Sequence, residues 1–263
     1  MMEFDGRPVT PGELGPLGLY NYGHFTSMRV EDMHVRGLSL HLERLARDCG
    51  ILFGVELDTD RVRHLARRVA ENAPSPVIVR VTVFDPSLEL GHPGSKVEPH
   101  ILVSTRAAAA GGLPSLRLRS VCYERDLPAV KHTGLLGALY HRRTAQLAGL
   151  DDALFTNSES QISEGATWNI GFVAGHRVVW PESDVLSGIT MHLVKNVVAQ
   201  IGMASTAVPL DLSDVSEMTS AFVTNVSVGV RPVRSIDDTP FSDDAPVLGL
   251  LRQSYMALPG EPL

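Results

Sequence analysis

The sequence predicts an α+β protein built from two subdomains. Strand-like runs of β-branched residues dominate the early and late parts of the chain, and a few amphipathic helix patterns lie between them. The length of 263 residues is enough for one large domain or two small ones. A stretch of small residues followed by proline, AAAAGGLPS, has the composition of a linker. We therefore predict an N-terminal subdomain over 1–107, a linker over 108–114 and a C-terminal subdomain over 115–263.

The N-terminal subdomain is predicted to begin with a turn-rich start and a strand over 18–30. Ser39 is the expected N-cap of a first helix that stops at Gly50. The pattern DTDRVRHLARRVAENA predicts a second helix. The β-branched run SPVIVRVTVFDPS follows as a strand that places Arg80 on the same face as Ile78, and HILVSTR is the next strand.

The C-terminal subdomain is predicted to alternate strands with helices. Its expected elements are a strand over 116–122, a helix over about 135–148, two strands within 151–173, a strand over 176–181, a helix over 184–202, a strand, loop and strand over 220–237, and a helix near 247–258.

Composition excludes several classes of function. The net charge is −7, which does not suit a nucleic-acid-binding protein. No apolar run reaches about 18 residues and no leader pattern opens the chain, so we expect neither a membrane span nor a signal peptide. Two cysteines form no disulfide framework and suit a reducing cytoplasm. Ten histidines lack ligand spacing, so no metal site is predicted.

The first candidate for chemistry is Lys131, which lies in LPAVKHTGLLGALYHRR among small and apolar neighbours. A single lysine at a strand end most often keeps its ammonium in solvent. A buried amine, in contrast, is a good nucleophile and can form a Schiff base or act as a general base. The segment alone does not decide between these two interpretations.

Three further features, each ambiguous by itself, point to one cofactor. Glu164 lies among small and apolar residues and is either a strand-edge carboxylate or the partner of a protonated pyridine nitrogen. The segment LSGITM, with Gly188 and Thr190, is either a simple helix start or a phosphate site at the positive end of a helix dipole. Arg44 can add charge to that phosphate. In this order they fit a pyridine ring that carries an aldehyde and a phosphate.

These segments resemble the class IV aminotransferases, which are fold-type IV pyridoxal-phosphate enzymes. The resemblance runs through YGHFTSMRV, LHLERL, VKHTGLLGALYHRR, ISEGATWNIGFV, VVWP, LSGITM and TNVSVGVRPV, and so covers nearly the whole chain. The family includes branched-chain aminotransferases, D-amino-acid aminotransferases and aminodeoxychorismate lyases. It implies a D-amino-acid-aminotransferase-like fold of two subdomains, a barrel-like C-terminal subdomain that carries the lysine, and the cofactor at the domain interface. It also implies a homodimer.

The resemblance implies a role for each matching residue. Lys131 forms the internal aldimine, and Glu164 pairs with the ring nitrogen. Arg44 and Thr190 hold the phosphate together with the Ile189 backbone at the Gly188 turn. The remaining implied positions are Leu186 against the ring, Phe25 at the mouth of the active site and Asn225 on the phosphate or substrate side.

The sequence departs from the better-known branches at three positions. Leu136 stands where branched-chain aminotransferases have a tyrosine that contacts the phenolic oxygen of the cofactor. Gly134 stands where the other two branches usually have asparagine, and Val226 where aminotransferases often have threonine or serine.

The leading hypothesis is an aminotransferase that moves an amino group between an amino acid or amine and a keto acid. The alternative is a lyase of the aminodeoxychorismate type, which uses the same lysine and releases pyruvate. A third possibility is a non-catalytic homologue, against which Lys131, Glu164 and Arg44 argue. For substrate binding, Arg80 is either a partner of a substrate carboxylate or an arginine paired within the protein, and Arg29 is a second candidate.

Overall fold

The structure, a computed structural model, describes residues 1–108 and 112–263, which form two compact units. The first unit comprises Met1–Ala109, Val130–Gly134 and Pro259–Leu263, and the second comprises Ala110–Ala129 and Leu135–Leu258. This division differs from the predicted one, which places 130–134 and 259–263 in the second part. Main-chain hydrogen bonds tie both short segments to strands of the first unit. Residues 109–111 of the predicted linker lie outside the described residues.

The first unit is a sheet covered by helices. Its strands are β1 (Met2–Phe4), β2 (Arg7–Pro8), β3 (His24–Glu31), β4 (His34–Val35), β5 (Val77–Phe84), β6 (His100–Ala107) and β16 (Glu261–Pro262), and its helices are α1 (Pro11–Tyr20), α2 (Leu38–Phe53) and α3 (Thr59–Glu71). The strand order is β16-β4-β3-β5-β6-β1-β2, and each of these pairings is antiparallel.

Period-two alternation gives this sheet two different faces. Met28 of β3 and the odd-numbered valines of β5 belong to the core cluster that includes Leu45 of α2 and Val62 of α3. The opposite face carries Phe25 and Arg80, because the strand register pairs Phe25 with Thr82 and Ser27 with Arg80. The predicted alternation of β5 is therefore confirmed.

The strand predicted over 18–30 is wrong in its first part. Residues 18–20 belong to α1, and β3 begins only at His24. Glycines and Pro16 hide the helix pattern of α1, whereas a capping box between Thr10 and Glu13 starts the helix.

The predicted caps of α2 are also wrong. Gly37 is the N-cap and Gly54 is the C-cap, with φ values of 72° and 67° that favour glycine. Gly50 stays within the last turn, where glycine costs only about 1 kcal/mol relative to alanine, and its carbonyl accepts the Gly54 N–H.

The second unit contains a closed ring of strands. Its elements are β7 (Leu116–Cys122), α4 (Leu136–Leu147), β8 (Asp152–Thr156), β9 (Ile162–Gly165), β10 (Asn169–Ala174), β11 (Arg177–Pro181), α5 (Ile189–Gln200), β12 (Ala204–Val208), a 3₁₀ turn (Asp214–Glu217), β13 (Ser220–Asn225), β14 (Gly229–Ile236), β15 (Thr239–Pro240) and α6 (Pro246–Met256). The path β10-β13-β14-β7-β8-β9 returns to β10 through the β9–β10 pairing. Across the described residues, the longest apolar helices fall short of what a membrane crossing requires.

The helix predicted over 184–202 is shorter than expected. The structure begins α5 at Ile189, with Gly188 as its N-cap in extended conformation. The preceding residues form a loop that includes Leu186. The loop and the first turn of α5 therefore make a helix start, as the LSGITM pattern indicates.

Candidate functional site

Lys131 lies in the first unit, in a short segment that pairs with β3. The Phe25 N–H donates to the Lys131 carbonyl at 2.9 Å, and the Thr133 N–H donates to the Gly23 carbonyl at 2.9 Å. The Lys131 N–H donates to Asp48 Oδ2 at 3.0 Å. Both main-chain groups of the lysine are thus held, which restricts where its side chain can reach. Its Nζ lies 4.9 Å from the centroid of the Phe25 ring.

Asp48 is a site residue that sequence reasoning missed. Its side chain is fully buried in the C-terminal half of α2. Arg47 donates from Nε and Nη2 to Asp48 Oδ1 at 3.0 and 2.7 Å, while the other oxygen takes the Lys131 N–H. The sequence spacing could have indicated this residue, because positions three and four apart on a helix place Asp48 on the same face as His41 and Arg44.

Arg44 is buried on the same face of α2. Its Nη2 donates to Thr26 Oγ1 at 2.7 Å, and that hydroxyl lies 2.6 Å from His41 Nδ1. Within the described part of the chain, Arg44 Nε is buried without a hydrogen-bond partner. Burial lowers the pKa of Arg44 to about 10, so the guanidinium remains charged at neutral pH. A buried cation with a spare donor suits an anionic oxygen.

His24 adds an unusual polar group to this cluster. It is fully buried, and neither ring nitrogen has a hydrogen-bond partner among the described residues. Burial lowers the pKa of His24 to about 4, against a smaller opposite effect of the Asp48 charge. Burial also holds the pKa of His41 well below its usual value, and the charges of Arg44 and Lys131 add to this. Both imidazoles are therefore neutral near pH 7.

The buried imidazole of His24 predicts how the free energy of unfolding depends on pH. At pH 7 the ring is neutral in the folded protein and mostly neutral in the unfolded protein, so its effect on stability is small. As the pH falls below about 6.5, His24 becomes protonated in the unfolded chain but stays neutral in the folded protein. The free energy of unfolding therefore decreases with falling pH until about pH 4, where folded His24 is also protonated. His24→Phe is expected to keep stability at pH 7 and to remove up to about 3 kcal/mol of this loss.

Urea unfolding at pH 7, 6 and 5 measures this difference. His34→Phe, at an exposed position of the same unit, is the control and should keep the wild-type pH dependence. Equal loss of stability on acidification in wild type and His24→Phe would show that His24 does not cause it.

The opposite face of the first-unit sheet carries the predicted substrate residues. Arg80 Cζ stacks 3.6 Å from the centroid of the Phe25 ring, and its Nε donates to Thr82 Oγ1 at 3.2 Å. Across the described residues no carboxylate lies within ion-pair distance of Arg80, which disfavours the internally paired alternative. Burial lowers the pKa of Arg80, and the Arg106 charge adds to this effect. Arg29, in contrast, lies 3.8 Å from Glu31 Oε1.

Glu164 lies in the second unit, on β9, with 5% of its surface exposed. Its Oε1 accepts from Arg125 Nη1 at 2.9 Å. Asn169, paired with Glu164 across β9 and β10, has its amide nitrogen 3.5 Å from Glu164 Oε2 and donates to the Leu186 carbonyl at 2.8 Å. Asn169 therefore connects the carboxylate to the loop before α5. Sequence reasoning missed both Arg125 and Asn169.

The start of α5 brings the other predicted residues together. Leu186, Ile189 and Thr190 are each less than a tenth exposed. A Cβ at Gly188 would overlap the Asn169 side-chain oxygen, so only glycine fits there. The first N–H groups of a helix have no partner within the helix and point toward its N-terminal end.

Asn225 lies at the end of β13, and its described contacts order its own turn and tie that turn to Thr167. Its Oδ1 accepts from the backbone of Ser227 and Val228, and its Nδ2 donates to the Thr167 carbonyl at 3.2 Å. The preceding residue, Thr224, is buried with a hydroxyl that has no partner among the described residues.

Comparison with known proteins identifies the family of this chain. Residues 23–236 match the family model described as amino-transferase class IV. The chain belongs to this family. A putative branched-chain-amino-acid aminotransferase of Methanocaldococcus jannaschii is 29% identical over 83% of this class IV aminotransferase chain and 80% of its own length. A probable branched-chain-amino-acid aminotransferase of Synechocystis is 26% identical over 42% of this chain and 37% of its own length.

Solved structures establish the fold of this class IV aminotransferase. A T.th. branched-chain amino acid aminotransferase with pyridoxamine 5'-phosphate has a TM-score of 0.86 at 20% identity, covering 97% of this chain and 92% of that one. A putative 4-amino-4-deoxychorismate lyase of Legionella pneumophila has a TM-score of 0.79 at 24% identity, covering 88% of each chain. The predicted family and fold class are thus confirmed. The protein is a transferase of this family, and its cofactor is pyridoxal phosphate.

Features of each unit, taken separately, fit that cofactor. In the first unit the spare donor on buried Arg44 suits a phosphate oxygen. In the second unit the hydroxyl of buried Thr224, which has no partner among the described residues, can also bond to an oxygen. The buried Glu164 carboxylate suits a protonated ring nitrogen. Lys131 supplies an amine on a fixed backbone.

Proposed function

We propose that the protein transfers an amino group between an amino acid or amine and a keto acid, with Lys131 as its catalytic residue. The observation that supports this most is the position of Lys131. Its main chain is hydrogen-bonded to Phe25 and Asp48. Its Nζ and the Arg80 guanidinium both contact the Phe25 ring. An amine next to a carboxylate-binding group suits an amino-acid substrate.

Pyridoxal phosphate, when bound, supplies the electron sink that makes the substrate Cα proton acidic. Lys131 would hold the cofactor through Nζ until the substrate amine takes its place. The freed amine would then be the group that accepts the substrate Cα proton and donates it again within the site, which makes Lys131 both base and acid. Its fixed backbone supports this double role, because the amine stays within reach of the proton that it accepts and donates.

Glu164 is proposed to hold a proton on the ring nitrogen, since only a charged carboxylate favours the protonated ring. Arg44, Thr190 and the N–H groups that follow Gly188 are proposed to hold the phosphate at the α5 N-terminus. Leu186 is proposed to pack on the ring, with Ile189 contributing its backbone N–H.

Phe25 and Arg80 are proposed to bind the substrate, with Arg80 as the partner of its carboxylate. Arg29 is a weaker candidate because it lies beside Glu31. Asn225 is proposed to act through the turn that it orders. We also propose a homodimer, from the family resemblance, and a cytoplasmic location, which the free cysteines Cys49 and Cys122 suit.

The test is a single-turnover assay of the protein loaded with pyridoxal phosphate. A panel of L- and D-amino acids and simple amines is added one at a time, and the absorbance of the cofactor is followed. Conversion to the pyridoxamine form, with release of the matching keto acid, is the expected result. Pyruvate release from 4-amino-4-deoxychorismate without that conversion would instead identify a lyase and overturn the proposal.

A further inference from the structure

The ion pair between Arg125 and Glu164 is unusually buried. Arg125 Nη1 lies 2.9 Å from Glu164 Oε1, and the two side chains are 9% and 6% exposed. In the other ion pairs that the structure describes, at least one side chain is more exposed than either of these. Both residues belong to the second unit.

Such a pair is not explained by stability alone. Removing both charges from water costs about as much as their attraction returns, so an apolar pair of the same volume would serve the fold as well. Arg142 and Asp152 provide a contrast within the same unit, because Arg142 keeps 24% of its side chain exposed. The burial of Arg125 therefore indicates a role that is connected with the charge of Glu164.

Glu164 is also oriented through its second oxygen. The Asn169 amide nitrogen lies 3.5 Å from Oε2, and the same amide donates to the Leu186 carbonyl. The stronger contact is the one with Arg125, because it is shorter and joins two charges. Arg125 thus places a positive charge directly beside the carboxylate and helps to fix its direction.

We propose that Arg125 is a positioning residue that keeps Glu164 ionised and oriented to hold the proton on the cofactor ring nitrogen. This inference rests on the proposed role of Glu164. Without the neighbouring cation, burial would favour the neutral acid. A neutral acid cannot hold the ring nitrogen in its protonated form, so the ring would lose its proton and bind less tightly. Arg125 acts through Glu164 and needs no contact with the cofactor.

The experiment measures the dissociation constant of pyridoxal phosphate and the absorbance spectrum of the bound cofactor. Arg125→Met is expected to weaken binding by about 10- to 100-fold, the value of a hydrogen bond to a charged group. Its bound spectrum should change in the same direction as that of Glu164→Gln. Arg125→Lys, which keeps the charge but not the geometry, should fall between Arg125→Met and wild type.

Arg142→Met is the matched control. It also removes an arginine that pairs with a buried carboxylate of the second unit, Asp152. It is expected to lower the melting temperature but to leave the dissociation constant and the spectrum unchanged. Circular dichroism of each variant checks that it folds, and Arg125→Gln replaces Arg125→Met if the latter does not.

The double variant Arg125→Met/Glu164→Gln decides whether the two residues act together. If Arg125 acts through Glu164, the double variant should bind the cofactor no more weakly than Glu164→Gln alone. Additive effects would overturn the inference. Weakened binding in Glu164→Gln with normal binding in Arg125→Met would also overturn it but leave the proposed role of Glu164 intact. Normal binding in Glu164→Gln would contradict both.

Discussion

Lys131→Ala is expected to lower turnover by at least about 1,000-fold, the upper part of the range for removal of a general acid–base group. The loss should be greater than for other single changes, because the same amine is proposed to bind the cofactor and to move the proton. The variant should still bind pyridoxal phosphate, because the residues proposed to hold its phosphate are unchanged. Its bound cofactor should lose the absorbance that is characteristic of attachment to lysine.

The sequence allows a direct chemical check of this prediction. The chain has only three lysines, Lys96, Lys131 and Lys195, so reduction of the loaded protein with borohydride followed by peptide mass analysis identifies the attached residue. Lys96→Ala, at an exposed loop position, is the control and should keep wild-type turnover. Label found on Lys96 or Lys195, or turnover by Lys131→Ala near the wild-type rate, would contradict the assignment.

Asp48→Ala is expected to reduce the free energy of unfolding by about 2–4 kcal/mol. The substitution removes the acceptor of the Lys131 N–H and the two hydrogen bonds from Arg47, and it leaves a gap at a fully buried position. The Lys131 N–H then has no acceptor at that place, which accounts for much of the cost. Urea unfolding of the cofactor-free protein at pH 7 measures the change.

Two variants separate the contribution of the Arg47 hydrogen bonds from that of the hydrogen bond to the Lys131 N–H. Arg47→Ala keeps the contact between Asp48 and Lys131, and because Arg47 is 46% exposed its loss should cost less than about 1 kcal/mol. Asp48→Asn keeps an acceptor oxygen and should lie between Arg47→Ala and Asp48→Ala. A wild-type unfolding midpoint for Asp48→Ala would show that the carboxylate does not anchor the lysine segment.

The family, the fold class and the cofactor could be predicted from sequence because their signals are local. The LSGITM helix start, the alternation of β5 and the lysine among small residues can each be read within one short segment. The same reasoning failed where local signals conflict, as in α1, whose glycines and Pro16 conceal a helix that a capping box starts. It also misplaced both ends of α2, where glycine in the left-handed region decided the boundary.

By itself, the sequence therefore determined the family, the fold class and the cofactor, and it supplied the candidate residues that are proposed to bind that cofactor. Only the tertiary structure decided that Asp48 holds Lys131 across 83 residues and that Arg125 pairs with Glu164 across 39. It also decided that His24 is buried without a partner among the described residues and that residues 130–134 belong with the first unit. The physical reason is that hydrogen bonds and ion pairs depend on distance in space, whereas helix and strand periodicity report only which face of one element a residue occupies.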